Sequence, residues 1–111
     1  MKIAIIGSRN LRVSNLEELI PKECTEIVSG GARGIDTCAA EFARAHGLKL
    51  TEFLPDYKTY GRGAPLKRNH LIVDHADVVY AFWDGKSRGT AYTLKYCKEV
   101  GKPYQIFKKE N

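Results

Sequence analysis

Five short runs of apolar, β-rich residues punctuate the chain, with helical patterns between them. Lys2 to Ile6 is almost continuously apolar and ends at Gly7; Glu26-Ile27-Val28 ends at Ser29-Gly30-Gly31; Leu48 to Leu54 ends at Pro55-Asp56; Val78 to Trp83 ends at Asp84-Gly85; Pro103 to Phe107 is the last. Apolar runs without alternation, stopped abruptly by glycine or aspartate, predict parallel strands covered on both faces. Ile35, Cys38, Ala39, Phe42, Ala43 and His46 recur at i, i+3, i+4, i+7, i+8 and i+11, a helical stripe that Gly47 closes. Ala91, Leu94, Cys97 and Val100 form a weaker stripe closed by Gly101 and Pro103. Helices are also expected over Leu66 to Ala76, behind Pro65, and over Asn15 to Ile20, with Ser14 or Asn15 as cap. The segment Pro55 to Pro65 reads as a long polar loop carrying Tyr57 and Tyr60, either an ordinary surface loop or one that stacks on a base or gates a site. Strands and helices that alternate in this way imply right-handed crossovers. They predict a Rossmann-like α/β fold: a doubly wound five-stranded parallel sheet of order 3-2-1-4-5. Ligands in such sheets bind outside the carboxyl ends of the strands at the topological switch, here between the first and fourth strands.

Composition narrows the class. At 111 residues, 43% hydrophobic and 28% charged, the chain reads as one globular domain and not as a disordered one. Its longest uncharged apolar run, Val78 to Trp83, is far too short to span a bilayer, so no membrane partner is expected. Met1-Lys2 leads straight into a strand pattern, without the apolar region and small-residue cleavage site of a signal peptide. Cys24, Cys38 and Cys97 are odd in number and widely spaced, which argues against a disulfide framework and for reduced thiols in a cytoplasmic protein. Neither the cysteines nor His46, His70 and His75 have metal-ligand spacing, so no metal and no cofactor is expected. The net charge of +5 favours anionic partners without separating a phosphate-bearing small molecule from a nucleic acid, and part of it lies in Lys108 and Lys109.

The chemistry concentrates in three loops that leave carboxyl ends of strands. They are Gly7-Ser8-Arg9-Asn10, Ser29-Gly30-Gly31-Ala32-Arg33-Gly34 and Asp84-Gly85-Lys86-Ser87-Arg88-Gly89-Thr90. Glycines let a backbone approach a ligand closely, and helix N-termini offer unpaired N–H groups and a partial positive charge. Arg9, Arg33, Lys86 and Arg88 add charge, and Ser8, Ser29, Ser87 and Thr90 add hydroxyls. Together these predict a phosphate cradle, with Arg33 and Arg88 as the substitutions that would abolish binding. Arg68 and Asn69, at the start of a helix, fall where they can reach a phosphate or ribose on the same rim. The plain alternative is that the glycines serve strand-to-helix turns and the arginines are solvated. Recurrence of glycine, base and hydroxyl on one rim favours the cradle. Asp36 either caps its helix or accepts hydrogen bonds from a ribose; Asp84 is on the ligand rim; Asp77, at the opposite rim, reads as structural, and Trp83 as core. Two familiar patterns fail. Gly85-Lys86-Ser87 lacks the earlier glycine of a P-loop, since Tyr80 stands there, and Gly30-Gly31-Ala32-Arg33-Gly34 does not fit G-x-G-x-x-G.

At Ile5-Ile6-Gly7-Ser8-Arg9, Ser29 to Asp36, Arg68-Asn69 and Trp83 to Thr90 the chain resembles the YspA-like, YpsA-related branch of the SLOG superfamily, which also holds DprA/Smf and the LOG phosphoribohydrolases. The resemblance covers nearly the whole chain and is specific in the S-G-G-A-R-G-I-D block. It implies a Rossmann-like fold, a nucleotide-type ligand and, since LOG-like proteins are commonly dimers, a homodimer. In LOG enzymes a P-G-G-x-G-T-x-x-E motif binds phosphate, and its glutamate takes part in cleaving an N-glycosidic bond. Gly89 and Thr90 match the G-T, but Thr93 stands at the glutamate position and supplies no carboxylate. The leading expectation is therefore binding or sensing of a nucleotide. One alternative is a nucleoside 5′-monophosphate phosphoribohydrolase with Asp84 or Asp36 replacing the glutamate. The other is single-stranded nucleic-acid binding, which the aromatics, not interleaved with basic residues, favour less.

Overall fold

The computed structural model describes residues 1–108; Lys109 lies outside the described residues. Five parallel strands, β1 (Lys2–Gly7), β2 (Glu26–Ser29), β3 (Lys49–Glu52), β4 (Val78–Trp83) and β5 (Tyr104–Lys108), form one sheet of order β3-β2-β1-β4-β5. This is the expected Rossmann-like topology, with the switch between β1 and β4, where Gly7 pairs with Phe82.

Helices cover both faces, as the unbroken apolar strands require. Ile3 and Ile5 of β1 point into one layer with Ile27, Leu11, Ile35 and Ala39, beneath α1 (Leu16–Leu19) and α2 (Ile35–Ala45). Ala4 and Ile6 point into the other, with Ile72, Val73, Leu94 and Cys97 of α4 (Ala64–His75) and α5 (Arg88–Val100). Each isoleucine, leucine or valine among them contributes about 1.5–3 kcal/mol when fully buried. All three cysteines are free thiols in this interior, and burial raises the Cys97 thiol to about 11. Among the described residues no helix is long and apolar enough to cross a membrane.

The segment expected as a long loop folds differently. Residues 57–60 form a short helix, α3 (Tyr57–Tyr60), followed by a 3₁₀ turn (Gly61–Gly63), and α4 then starts at Ala64 with Pro65 in its first turn. The cause is local: Asp56 accepts a hydrogen bond from the Thr59 N–H at 3.2 Å and caps α3. β3 is also shorter than the apolar run that announced it. Phe53 still donates its N–H to the Ser29 carbonyl at 2.9 Å, while Leu54 turns out to solvent. At the sheet edge β3 exposes Lys49 and Glu52, charges that discourage pairing with another strand. Lys108 belongs to β5 and is not part of a tail. At the amino rim Asp77 accepts the Lys2 N–H at 2.7 Å, a brace between β1 and the start of β4.

Candidate functional site

A cavity of about 420 Å³ opens at the carboxyl ends of β1, β2 and β4, at the switch. β1 and its loop line it with Gly7, Ser8 and Arg9; the β2 loop with Gly30, Ala32 and Arg33; α4 with Arg68 and Asn69; the β4 loop and α5 with Asp84, Ser87, Gly89, Thr90 and Thr93. Ile6, Ile72, Pro65 and Leu66 give it an apolar floor and wall.

The mouth of α5 is built by a polar turn. Asp84 accepts the N–H groups of Lys86 and Ser87, each at 2.8 Å, and these bonds, Lys86 first, hold its carboxyl below the usual range. Trp83 Nε1 donates to the Ser87 carbonyl at 3.0 Å, so the tryptophan braces this turn. Buried Ser8 accepts the Asp84 N–H at 3.4 Å and ties the β1 and β4 loops together. Ser87 precedes α5 without capping it by its side chain, so the first N–H groups of α5 have no intrahelical partner where Gly89 and Thr90 line the cavity. At α2, by contrast, the first turn presents a carboxylate to the cavity: that of Asp36.

Arg68 is the most unusual group in the site. Only 8% of it is exposed. Its Nη1 donates to the Gly30 carbonyl at 2.6 Å and to the Phe53 carbonyl at 3.4 Å, whereas its Nε is buried with no partner among the described residues. A Cβ on Gly30 would lie 2.5 Å from Arg68 Nη1, 2.9 Å from its Cζ and 3.1 Å from Asp36 Oδ2. Glycine at position 30 is what lets the guanidinium and the carboxylate occupy one spot. Asp36 Oδ2 accepts the Ala32 N–H at 3.0 Å. Burial pushes the Asp36 carboxyl above its ordinary range, against the pull of the Ala32 N–H and of Arg68. Burial likewise lowers Arg68, and Asp36 opposes that.

Five residues expected in the cradle stand outside the cavity wall. Ser29 is fully buried and accepts the Gly31 N–H at 3.4 Å. Gly31 faces Leu54 and Glu52, and Gly34 packs against the carbonyls of Arg9 and Leu11. Lys86 and Arg88 project to solvent. Thr93, where the resemblance expects a catalytic glutamate, is buried and donates its hydroxyl to the Gly89 carbonyl at 2.9 Å. That Arg68 reaches this rim was legible in the sequence; its burial was not, because its partners Gly30 and Phe53 are remote in the chain.

No family profile matches the chain. No solved structure matches it either. It is similar to the Gene 61 protein of Mycobacterium phage D29, 35% identical over 83 residues. The match covers 69% of this chain and 66% of that protein, so the chain spans about two thirds of its relative's length.

Proposed function

We propose that this chain binds a nucleotide or nucleotide-derived phosphate in the cavity at the β1/β4 switch. The observation that carries this reading is Arg68, a nearly buried guanidinium on the cavity wall with an unpartnered Nε. An unsatisfied buried donor costs about 1–3 kcal/mol, more when charged, and such groups survive in native proteins where a role demands them. The uncapped start of α5 supplies N–H groups for a phosphate, with hydroxyls from Ser87 and Thr90 beside it. Arg9 and Arg33, exposed at the opening, add charge that draws an anion in. In this reading Thr93 favours retention of the ligand over its cleavage, since its hydroxyl is spent on Gly89. Cleavage of the N-glycosidic bond is the second reading. Asp36 favours it, as a cavity carboxyl that burial shifts toward the range of a general acid.

Native mass spectrometry with a panel of nucleoside monophosphates, ADP-ribose and NAD tests both. An intact retained ligand, with affinity reduced about tenfold or more by Arg33→Ala, is the expected result, matching the loss of one charged hydrogen bond. Because Arg33 is exposed, that variant keeps its fold. Release of free base moves the assignment to the hydrolase. Binding of single strands alone, weakening steeply with salt, overturns the small-molecule reading.

A further inference from the structure

Two kinds of chemistry meet in this cavity, and only one suits a phosphate. Two carboxylates line the wall: that of Asp84 is taken up by the Lys86 and Ser87 N–H groups and leaves the following N–H groups of α5 open to an anion, whereas that of Asp36, beside Arg68, keeps acceptor positions free. A phosphate therefore belongs at α5, and whatever reaches Asp36 must be a hydrogen-bond donor. An ionised carboxylate has about four acceptor positions, of which the Ala32 N–H takes one and the Ser29 hydroxyl engages another, leaving about two. Asp36 is also held in place: it sits in the first turn of α2, and its Oδ2 and Arg68 Nη1 both flank the vacant Cβ position of Gly30. At about 420 Å³ the cavity is near the lower end of the ~300–1,000 Å³ typical of small-molecule sites, a fit for one nucleotide and tight for two. Pro65 and Leu66 give an apolar wall for a ring. In a nucleotide, the part between phosphate and base that carries neutral donors is the sugar.

Resting on the nucleotide reading above, we infer that Asp36 is a specificity residue, whose carboxylate accepts hydrogen bonds from the vicinal hydroxyls of a ribose while the 5′-phosphate sits at the start of α5. The site then selects ribo- over deoxyribo-ligands.

Calorimetric titration of ribose 5-phosphate, 2-deoxyribose 5-phosphate and inorganic phosphate into wild-type and Asp36→Asn protein tests this. The expected wild-type result is a preference for the ribose of about tenfold or more, the scale of one hydrogen bond to a charged group. In Asp36→Asn that preference shrinks to a few-fold at most, and inorganic phosphate binds no more weakly than before. Equal wild-type affinity for the two sugars overturns the inference while the phosphate reading stands. So does an undiminished preference in Asp36→Asn. No binding of any of the three compounds removes the nucleotide reading beneath it. The wild-type comparison needs no variant, so the inference remains testable even if the substitution impairs folding.

Discussion

Arg68 and Gly30 act as a single unit although they lie far apart in the chain. The guanidinium fills the volume that any side chain at residue 30 would occupy, and its hydrogen bond returns to the Gly30 carbonyl itself. An exposed arginine would swing away from an added methyl at little cost. Arg68 cannot do so freely, because the Gly30 and Phe53 carbonyls hold Nη1 and the surroundings enclose the rest. Gly30→Ala is therefore expected to cost about 1–3 kcal/mol, the range for overpacking a tight interior, measured by urea unfolding. It should also weaken binding of an intact nucleotide, if the cavity takes one as proposed, since Arg68 leaves its position on the wall. A Gly30→Ala protein that binds nucleotide as wild type does would show that Arg68 is not a ligand group. The same pair shows why a local reading of Gly30-Gly31 is incomplete. At Gly30 the reason for glycine is a side chain that the sequence brings from α4.

Among the elements, the β2–α2 connection is the most constrained. Gly34 adopts φ 69° and ψ −118°, a conformation nearly confined to glycine, and a Cβ there would collide with the carbonyl oxygen of Arg9 and crowd that of Leu11. Gly34→Ala combines backbone strain of about 1–3 kcal/mol with displacement of the β1 loop, and should lower the thermal midpoint by several degrees. A melting curve identical to wild type would refute this account of the turn. The strands were legible as unbroken apolar runs, most of them stopped by glycine, proline or aspartate, and α2 and α5 as helical stripes closed by Gly47 and Gly101. The helical turn at Tyr57–Tyr60 was not, because it depends on one capping bond from Asp56. The site was legible as a rim, since topology alone brings the three loops together. Which residues face inward was not. Ser29, Gly31 and Gly34 serve the turn, and Lys86 and Arg88 point outward, because the orientation of a side chain in a tight loop depends on contacts no local pattern encodes.

On the scale of the whole molecule, the cavity and a buried carboxylate network lie at opposite ends of the sheet. Glu26, at the start of β2, is buried, and its carboxylate joins three elements. His75 Nε2 at the end of α4 lies 2.6 Å from Oε2, the Thr51 hydroxyl of β3 donates to the same oxygen at 2.8 Å, and Lys49 Nζ is 3.8 Å from Oε1. Burial alone would raise the Glu26 carboxyl, but the bonds from His75 and Thr51 and the charge of Lys49 outweigh it, so the carboxyl lies below its ordinary range. The sign of the pH dependence follows. The unfolded chain takes up a proton at an ordinary glutamate pKa of about 4.3, while the folded chain resists until lower pH. Stabilisation by Glu26 is thus complete above the unfolded value and is lost as pH falls through the folded one. Glu26→Gln should lower stability at neutral pH by about 1–3 kcal/mol, the cost of weakening a charged, buried hydrogen-bond network. It should also flatten the fall in stability between neutral and acid pH, followed by urea unfolding at a series of pH values. Because the network sits at the amino rim, the same variant should keep wild-type affinity for phosphate while it remains folded. A variant that kept the wild-type acid sensitivity would assign that sensitivity to other carboxylates. One that lost phosphate affinity while fully folded would mean that the two rims are coupled through α4, which carries both His75 and Arg68.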